Sequence, residues 1–164
     1  MALFGKKAPA PVTFPATLVS PATGEYVPMA ELKDAAFASG KLGVCCGIIP
    51  SDGNIYAPVD GVVSEVTDTS HALVITAGGM DILIHAGIHT VNMQGEGFKT
   101  AVKLDHAVKK GDLILQMDLW KVRNSGYDST VIVAVSNSDD FAGVEAVAKA
   151  GKITTGDAIL KVSK

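Results

Sequence analysis

From residue 17 onward the apolar positions fall into short runs rich in β-branched residues, broken by Gly, Pro, Asp and Asn. The clearest are "GVVSEV" (61–66), "ALVIT" (72–76), "DILIH" (81–85), "DLILQM" (112–117) and "STVIVAVS" (129–136). Runs of this length bounded by turn residues predict strands, and their number predicts an all-β sandwich or barrel. Only two stretches have helical spacing, 29–38 ("MAELKDAAFA") and 141–150 ("FAGVEAVAKA"). Weak internal repetition runs through the pattern. "KKGDLIL" (109–115) recurs as "TTGDAIL" (154–160), and "SPATGEYV" (20–27) is echoed by "APVDGVVSEV" (57–66). Each Gly-Asp pair suits a tight turn feeding a strand, since Gly accepts positive φ and Asp binds nearby backbone groups. Duplicated β-units packed face to face account for the repetition.

Residues 1–16, rich in Pro and Ala, read as a flexible N-terminal arm, with one domain over 17–164. A weak membrane-surface anchor through Leu3, Phe4, Lys6 and Lys7 is the rival reading, but one apolar pair and two lysines are little to hold a membrane. The 164 residues suffice for one domain with a real core. With 14 basic and 17 acidic side chains, charge supplies no case for nucleic acid binding. No apolar run has the length of a transmembrane helix, and "MALFGKK" does not read as a signal peptide. The two cysteines are the adjacent Cys45 and Cys46, which argues against a disulfide framework and for a cytoplasmic protein.

The segment "ILIHAGIHTV" (82–91) holds two of the four histidines. On a helix, His85 and His89 would share a face and could hold zinc. Gly87 between them, the β-branched surroundings and the lack of an HExxH acid oppose this. On a strand the two lie roughly 13 Å apart, too far for one metal. His85 therefore needs another partner, and "SHALVITAGGMDILIHAG" (70–87) offers one. Gly78-Gly79 is a hairpin signal. A three-residue loop at 77–79 sets His71 directly opposite His85; a two-residue loop at 78–79 makes them near-diagonal neighbours. Either register brings the side chains close, since opposed Cβ atoms are about 5 Å apart. One neutral imidazole can attack a phosphoryl group while the other donates to its equatorial oxygens. Thr69, two residues before His71, would share its strand face and could fix its tautomer. The plain alternative is a pair of ordinary hydrogen-bonded histidines.

At these residues the chain resembles the glucose-type enzyme IIA family of the bacterial phosphoenolpyruvate-dependent sugar phosphotransferase system. The matching pieces are "APVDGVV" (57–63), "DTSHAL" (68–73), "ILIHAGIHTV" (82–91), "GEGF" (95–98), "VKKGDLIL" (108–115) and "VSNSDDF" (135–141). The resemblance covers about residues 17–162. It implies an antiparallel β-sandwich with a duplicated hybrid motif. It places His85 as the phosphorylated histidine, His71 as the histidine that hydrogen-bonds the phosphoryl group, and Thr69 as the threonine that orients His71. It implies phospho-HPr as donor and a cysteine of a sugar-specific enzyme IIB (or IIBC) as acceptor, with regulatory protein targets as further partners. The sugar is not legible, nor is whether the chain acts alone or as part of a longer one.

Two positions depart from the family pattern. His89 stands where the family usually has an acid that would face a basic partner surface. "GVCCGI" (43–48) replaces "GDGVAI", with Val44 for the acid and a cysteine pair that reads as small apolar filler rather than a redox element. A zinc-dependent hydrolase of related β-sandwich architecture is the main alternative; it lacks an evident third ligand. No cofactor is expected, except that zinc could be shared by His71 and His85 with a partner's carboxylate. A lipoyl- or biotin-type carrier would need a lysine at its hairpin tip, and "AGGM" has none.

Overall fold

The computed structural model describes residues 11–164. Its strands in chain order are β1 (Ala16–Val19), β2 (Gly24–Pro28), β3 (Val44–Pro50), β4 (Asn54–Tyr56), β5 (Gly61–Val66), β6 (Ala72–Ala77) and β7 (Met80–Ile88). There follow β8 (Phe98–Thr100), β9 (Ala107–Val108), β10 (Leu113–Met117), β11 (Asp128–Val135), β12 (Gly143–Ala146), β13 (Gly151–Ile153) and β14 (Ala158–Ser163). They form an eight-stranded sheet, order β13-β2-β3-β11-β7-β6-β5-β9, and two three-stranded sheets, β1-β14-β12 and β4-β10-β8. The pairings are antiparallel. Only two α-helices occur among the described residues, α1 (Ala35–Ala38) and α2 (Leu119–Asn124). The expected all-β antiparallel sandwich is the observed fold.

The duplicated Gly-Asp segments make the same turn twice. Asp112 accepts from the Lys109 amide and Asp157 from the Thr154 amide, each at 2.8 Å. Gly111 and Gly156 both take positive φ, 93° and 97°. The Gly111 amide donates to the Ala57 carbonyl and the Ala57 amide to the Asp112 carbonyl. Gly156, Ser20 and Asp157 repeat that pattern. The echo between residues 20–27 and 57–66 is therefore a structural duplication: each Gly-Asp turn is clasped by the start of one repeat.

β11 and β7 lie at the centre of the large sheet, and β11 is buried on both faces. Val131, Val133 and Val135 enter the main core, while Ile132 and Ala134 join a smaller cluster with Leu32, Phe37, Cys45 and Ile88. That explains the unbroken apolar run of "TVIVAV": alternate residues serve two layers. The smaller cluster is roofed by the segment from Met29 to Ala38, and this is the face that carries His85.

Two helical expectations change. Residues 141–150 are not helical; β12 runs through them and pairs Val144 with Val162 on β14. An unpaired β14 edge would leave amides and carbonyls without partners, and this segment supplies them. Residues 29–38 form two separate single turns, a 3-10 turn at Met29–Glu31 and α1, whose N-cap is Asp34. A helix was not foreseen at α2, although Asp118 caps it and Gly126 ends it with φ 86°. Of the arm expected over 1–16, residues 1–10 lie outside the described residues, as does the rival reading of an anchor through Leu3, Phe4, Lys6 and Lys7. From residue 11 on the chain is packed: Val12 and Phe14 lie against the main core, Phe14 stacks on Phe141 at 5.8 Å, and Ala16 opens β1.

Cys45 and Cys46 point to opposite faces of β3 and into different clusters, so they cannot bridge. Burial pushes their thiols up to about 11 and about 12. Both serve as filler, and the Cys45 thiol donates to the Phe37 carbonyl at 3.4 Å. A thiol reagent at neutral pH should label neither cysteine in the native chain and both after denaturation; rapid native labelling would contradict this account.

Candidate functional site

The β6–β7 hairpin closes with Ala77 opposite Met80, which makes Gly78-Gly79 a two-residue turn. Both glycines have positive φ, 55° and 82°, as the tight hairpin turn demands. In this register Ala72 pairs with His85 and His71 lies one step off the end of β6. The second of the two registers foreseen is thus the one adopted. A regular strand would send residues 71 and 72 to opposite faces. Residues 67–71 instead turn, with Ser70 at φ 58°, while the His71 carbonyl accepts from the Ala86 amide at 2.8 Å. That turn brings the two imidazoles together, centroids 4.9 Å apart at 82°. Thr69 reaches His71 within the same turn rather than along a strand face, its Oγ1 2.5 Å from Nδ1.

The rings are fixed on all sides. His85 Nδ1 lies 2.6 Å from the Gly87 carbonyl oxygen. A carbonyl can only accept, so Nδ1 carries the proton and, in the neutral ring, the lone pair is on Nε2. Gly87 is required for this. Its φ is 81°, and a Cβ there would come within 2.4 Å of Thr90 Cγ2 and 2.9 Å of the Asp128 carbonyl oxygen. Thr90 holds the same turn by donating its hydroxyl to the Ala86 carbonyl at 2.6 Å. Thr67 Oγ1 lies 3.4 Å from His71 Nδ1, but its proton goes to the Ala72 carbonyl at 3.0 Å. Phe37 packs edge-on against His85 at 5.4 Å, and Phe98 against His71 at 6.5 Å.

Burial keeps both rings neutral. It drives His71 down to about 4, with His85 adding a smaller push in the same direction. His85 is also lowered, first by burial and further by His89, against the opposing pull of its bond to Gly87 and of the Asp34 carboxylate. At neutral pH the centre therefore offers an uncharged imidazole with an available lone pair beside a second uncharged imidazole.

His89 takes no part in a helix or a shared metal site with His85. β7 ends at Ile88, and His89 turns away at φ 60° to sit 3.7 Å from Asp34. Among the described residues no three His, Cys, Asp or Glu side chains converge as a metal site. A groove of about 850 Å3 bounded by Glu25, Ile49, Arg123 and Thr130 contains none of His71, His85 and Thr69. Of the apolar neighbours Leu83, Ile84 and Ile88, only Leu83 is partly exposed. Sequence reasoning did not single out Phe37, Phe98 or Asp34. Gly87 had a signal in the sequence, a glycine two residues after His85 within an otherwise apolar, β-branched strand.

The class is that of an antiparallel β-sandwich carrying a paired-imidazole centre. The family model for the phosphoenolpyruvate-dependent sugar phosphotransferase system, EIIA 1, matches residues 16–141. The chain is 36% identical over 142 residues to a glucose-specific EIIA component of Oceanobacillus iheyensis, covering 86% of each. It is 41% identical over 138 residues to a beta-glucoside-specific EIIBCA component of Dickeya chrysanthemi, spanning 84% of this chain and 22% of that longer one. It superposes on the glucose permease IIA of Mycoplasma capricolum with a TM-score of 0.76 at 27% identity, covering 88% and 94% of the two chains. The chain belongs to the EIIA type 1 family, and it is a phosphoryl-carrying phosphotransferase component of the sugar phosphotransferase system. The zinc hydrolase alternative finds no support in these likenesses. No described helix is long and apolar enough to cross a membrane.

Two outcomes test the geometry. The unfolded chain binds protons at His71 near 6.5, whereas the folded one resists them down to about 4. Stability is therefore full above pH 6.5 and falls as pH drops through this window. Denaturant titrations should show His71→Gln flattening this loss by on the order of 1–3 kcal/mol. Gly87→Ala should cost about 1–3 kcal/mol of stability from the forced φ alone, and nitrogen NMR should show the Nδ1 proton of His85 no longer fixed.

Proposed function

We propose that His85 is the residue on which this chain carries its phosphoryl group, received from the phosphohistidine of HPr. The observation that carries the reading is the Gly87 carbonyl at His85 Nδ1, which leaves Nε2 as the nucleophile. In the first transfer the Nε2 lone pair forms a bond to phosphorus as the P–N bond of the donor breaks, and the electron pair leaves with the donor imidazole. In the second, a thiolate of enzyme IIB attacks phosphorus and the His85 Nε2–P bond breaks. Little covalent chemistry is left for other side chains, so their work is positioning and charge stabilisation. With Thr69 donating to Nδ1 of His71, the His71 proton sits on Nε2 and is available to the equatorial phosphoryl oxygens. Thr69 is then a positioning residue that selects the tautomer.

The partner assignment is supported by relatives in which an EIIA region is named together with EIIB and EIIC parts. A cytoplasmic setting, where HPr and IIB would meet the chain, fits this role, and partners other than IIB would read the phosphorylation state at the same face. Sugar choice falls to the IIB and membrane components. Zinc on His71 and His85 would need a further ligand from a partner, because two imidazoles fall short of the usual donor set; no step of transfer requires it. No nucleic acid partner is proposed.

Incubation with phosphoenolpyruvate, enzyme I and HPr should add one phosphoryl group, mapped to His85 by peptide mass analysis and absent without HPr. His85→Ala should abolish the gain. His71→Ala should still accept phosphate but pass it to IIB more slowly, by about 10²–10³-fold if it removes one transition-state donor. Transfer by His71→Ala at the wild-type rate would refute its assigned role.

A further inference from the structure

His89 is joined to the centre through Asp34. Asp34 Oδ1 caps α1 by accepting from the Ala36 and Phe37 amides at 2.8 and 3.3 Å. Phe37 from that helix packs on His85. The other carboxylate oxygen, Oδ2, faces His89 Nε2 at 3.7 Å. The Asp34 side chain is 17% exposed and that of His89 66%, so the acid is shielded while the imidazole faces solvent. His89 holds φ 60°, a region that His and Asn enter more readily than most residues. Other titratable or charged groups nearby are His85 on β7, His71 on β6, Asp128 on β11 and Lys33 beside Asp34. Asp128 is held by the amide and hydroxyl of Thr130 at 2.8 and 2.6 Å, and Lys33 is exposed.

A phosphoryl group on His85 brings about two negative charges into this setting. A bare Asp34 carboxylate opposes it; an Asp34 paired with an imidazolium does not. We propose that His89, when protonated, neutralises Asp34 and thereby makes His85 hold its phosphoryl group more tightly. The proposal rests on His85 being the carrier residue. By linkage the effect is reciprocal: phosphorylation of His85 raises the affinity of His89 for a proton. His89 is a positioning residue for charge, and it makes the phosphoryl affinity of the centre depend on pH in a way that an acid at this position cannot.

The test equilibrates purified phospho-HPr with the full chain, without enzyme I, across about pH 5.5–8, the range where histidines titrate. The phospho-fraction is read by mass for wild type, His89→Asn and His89→Asp. Titration of HPr and of the phosphoryl group itself is common to all three and cancels in their ratio. The equilibrium constant of wild type relative to His89→Asn should rise about three- to tenfold as pH falls. His89→Asp should carry less phosphate than His89→Asn throughout. In wild type, proton NMR should show the His89 midpoint moving upward by about half a unit or more when His85 is phosphorylated. A wild-type to His89→Asn ratio flat in pH, or an unmoved His89 midpoint, overturns the inference while leaving the carrier reading intact. Failure of both wild type and His89→Asn to gain phosphate on His85 overturns both.

Discussion

One hydrogen bond organises the centre: Nδ1 of His85 against the carbonyl of Gly87, at 2.6 Å. It decides which nitrogen bears the proton, and so which one carries the lone pair. It can form only because the chain turns to positive φ at Gly87, two residues after His85, where a side chain would strike Thr90 and the Asp128 carbonyl. The sheet supports that turn from below. β11 runs alongside β7, with Ile132 in register with His85, and a register shift lies between Asp128 and Val131 beside the turn. The rigid centre of the large sheet thus holds one nitrogen of one ring.

Desolvation does the complementary work. A solvated histidine is partly protonated near neutral pH and loses nucleophilicity to that extent. Here the Phe37 and Phe98 rings and the neighbouring imidazole exclude water, and both histidines are held neutral. The same exclusion weakens the structure in acid, since protons bind the unfolded chain more readily. Edge-on aromatic walls thus give the two imidazoles a dry environment.

Much of this was legible along the chain, at particular places. The Gly78-Gly79 hairpin signal led to the His71–His85 contact, because a two-glycine turn constrains register and register constrains which side chains meet. The Gly-Asp echoes led to the duplication, because each turn is a local unit of backbone and one carboxylate. The reading failed where long-range pairing overrode local spacing. Residues 141–150 have helical periodicity, yet β14 offers an open edge that captures residues 143–146. The approach of Thr69 to His71 was anticipated, but along the wrong path: a turn with a left-handed Ser70, not a strand face.

The sequence by itself determined the strand-rich architecture, the hairpin that pairs the histidines and the glycine that follows His85, since each depends on residues close together in the chain. Only the tertiary structure decided what surrounds them. Phe37 and Asp34 reach His85 and His89 because the segment from Met29 to Ala38 folds over the outer face of the large sheet. No local pattern encodes that placement. It arises from apolar residues of β3, β7 and β11 needing cover on the face opposite the main core, and burial of that face is what removes the charge from the imidazoles.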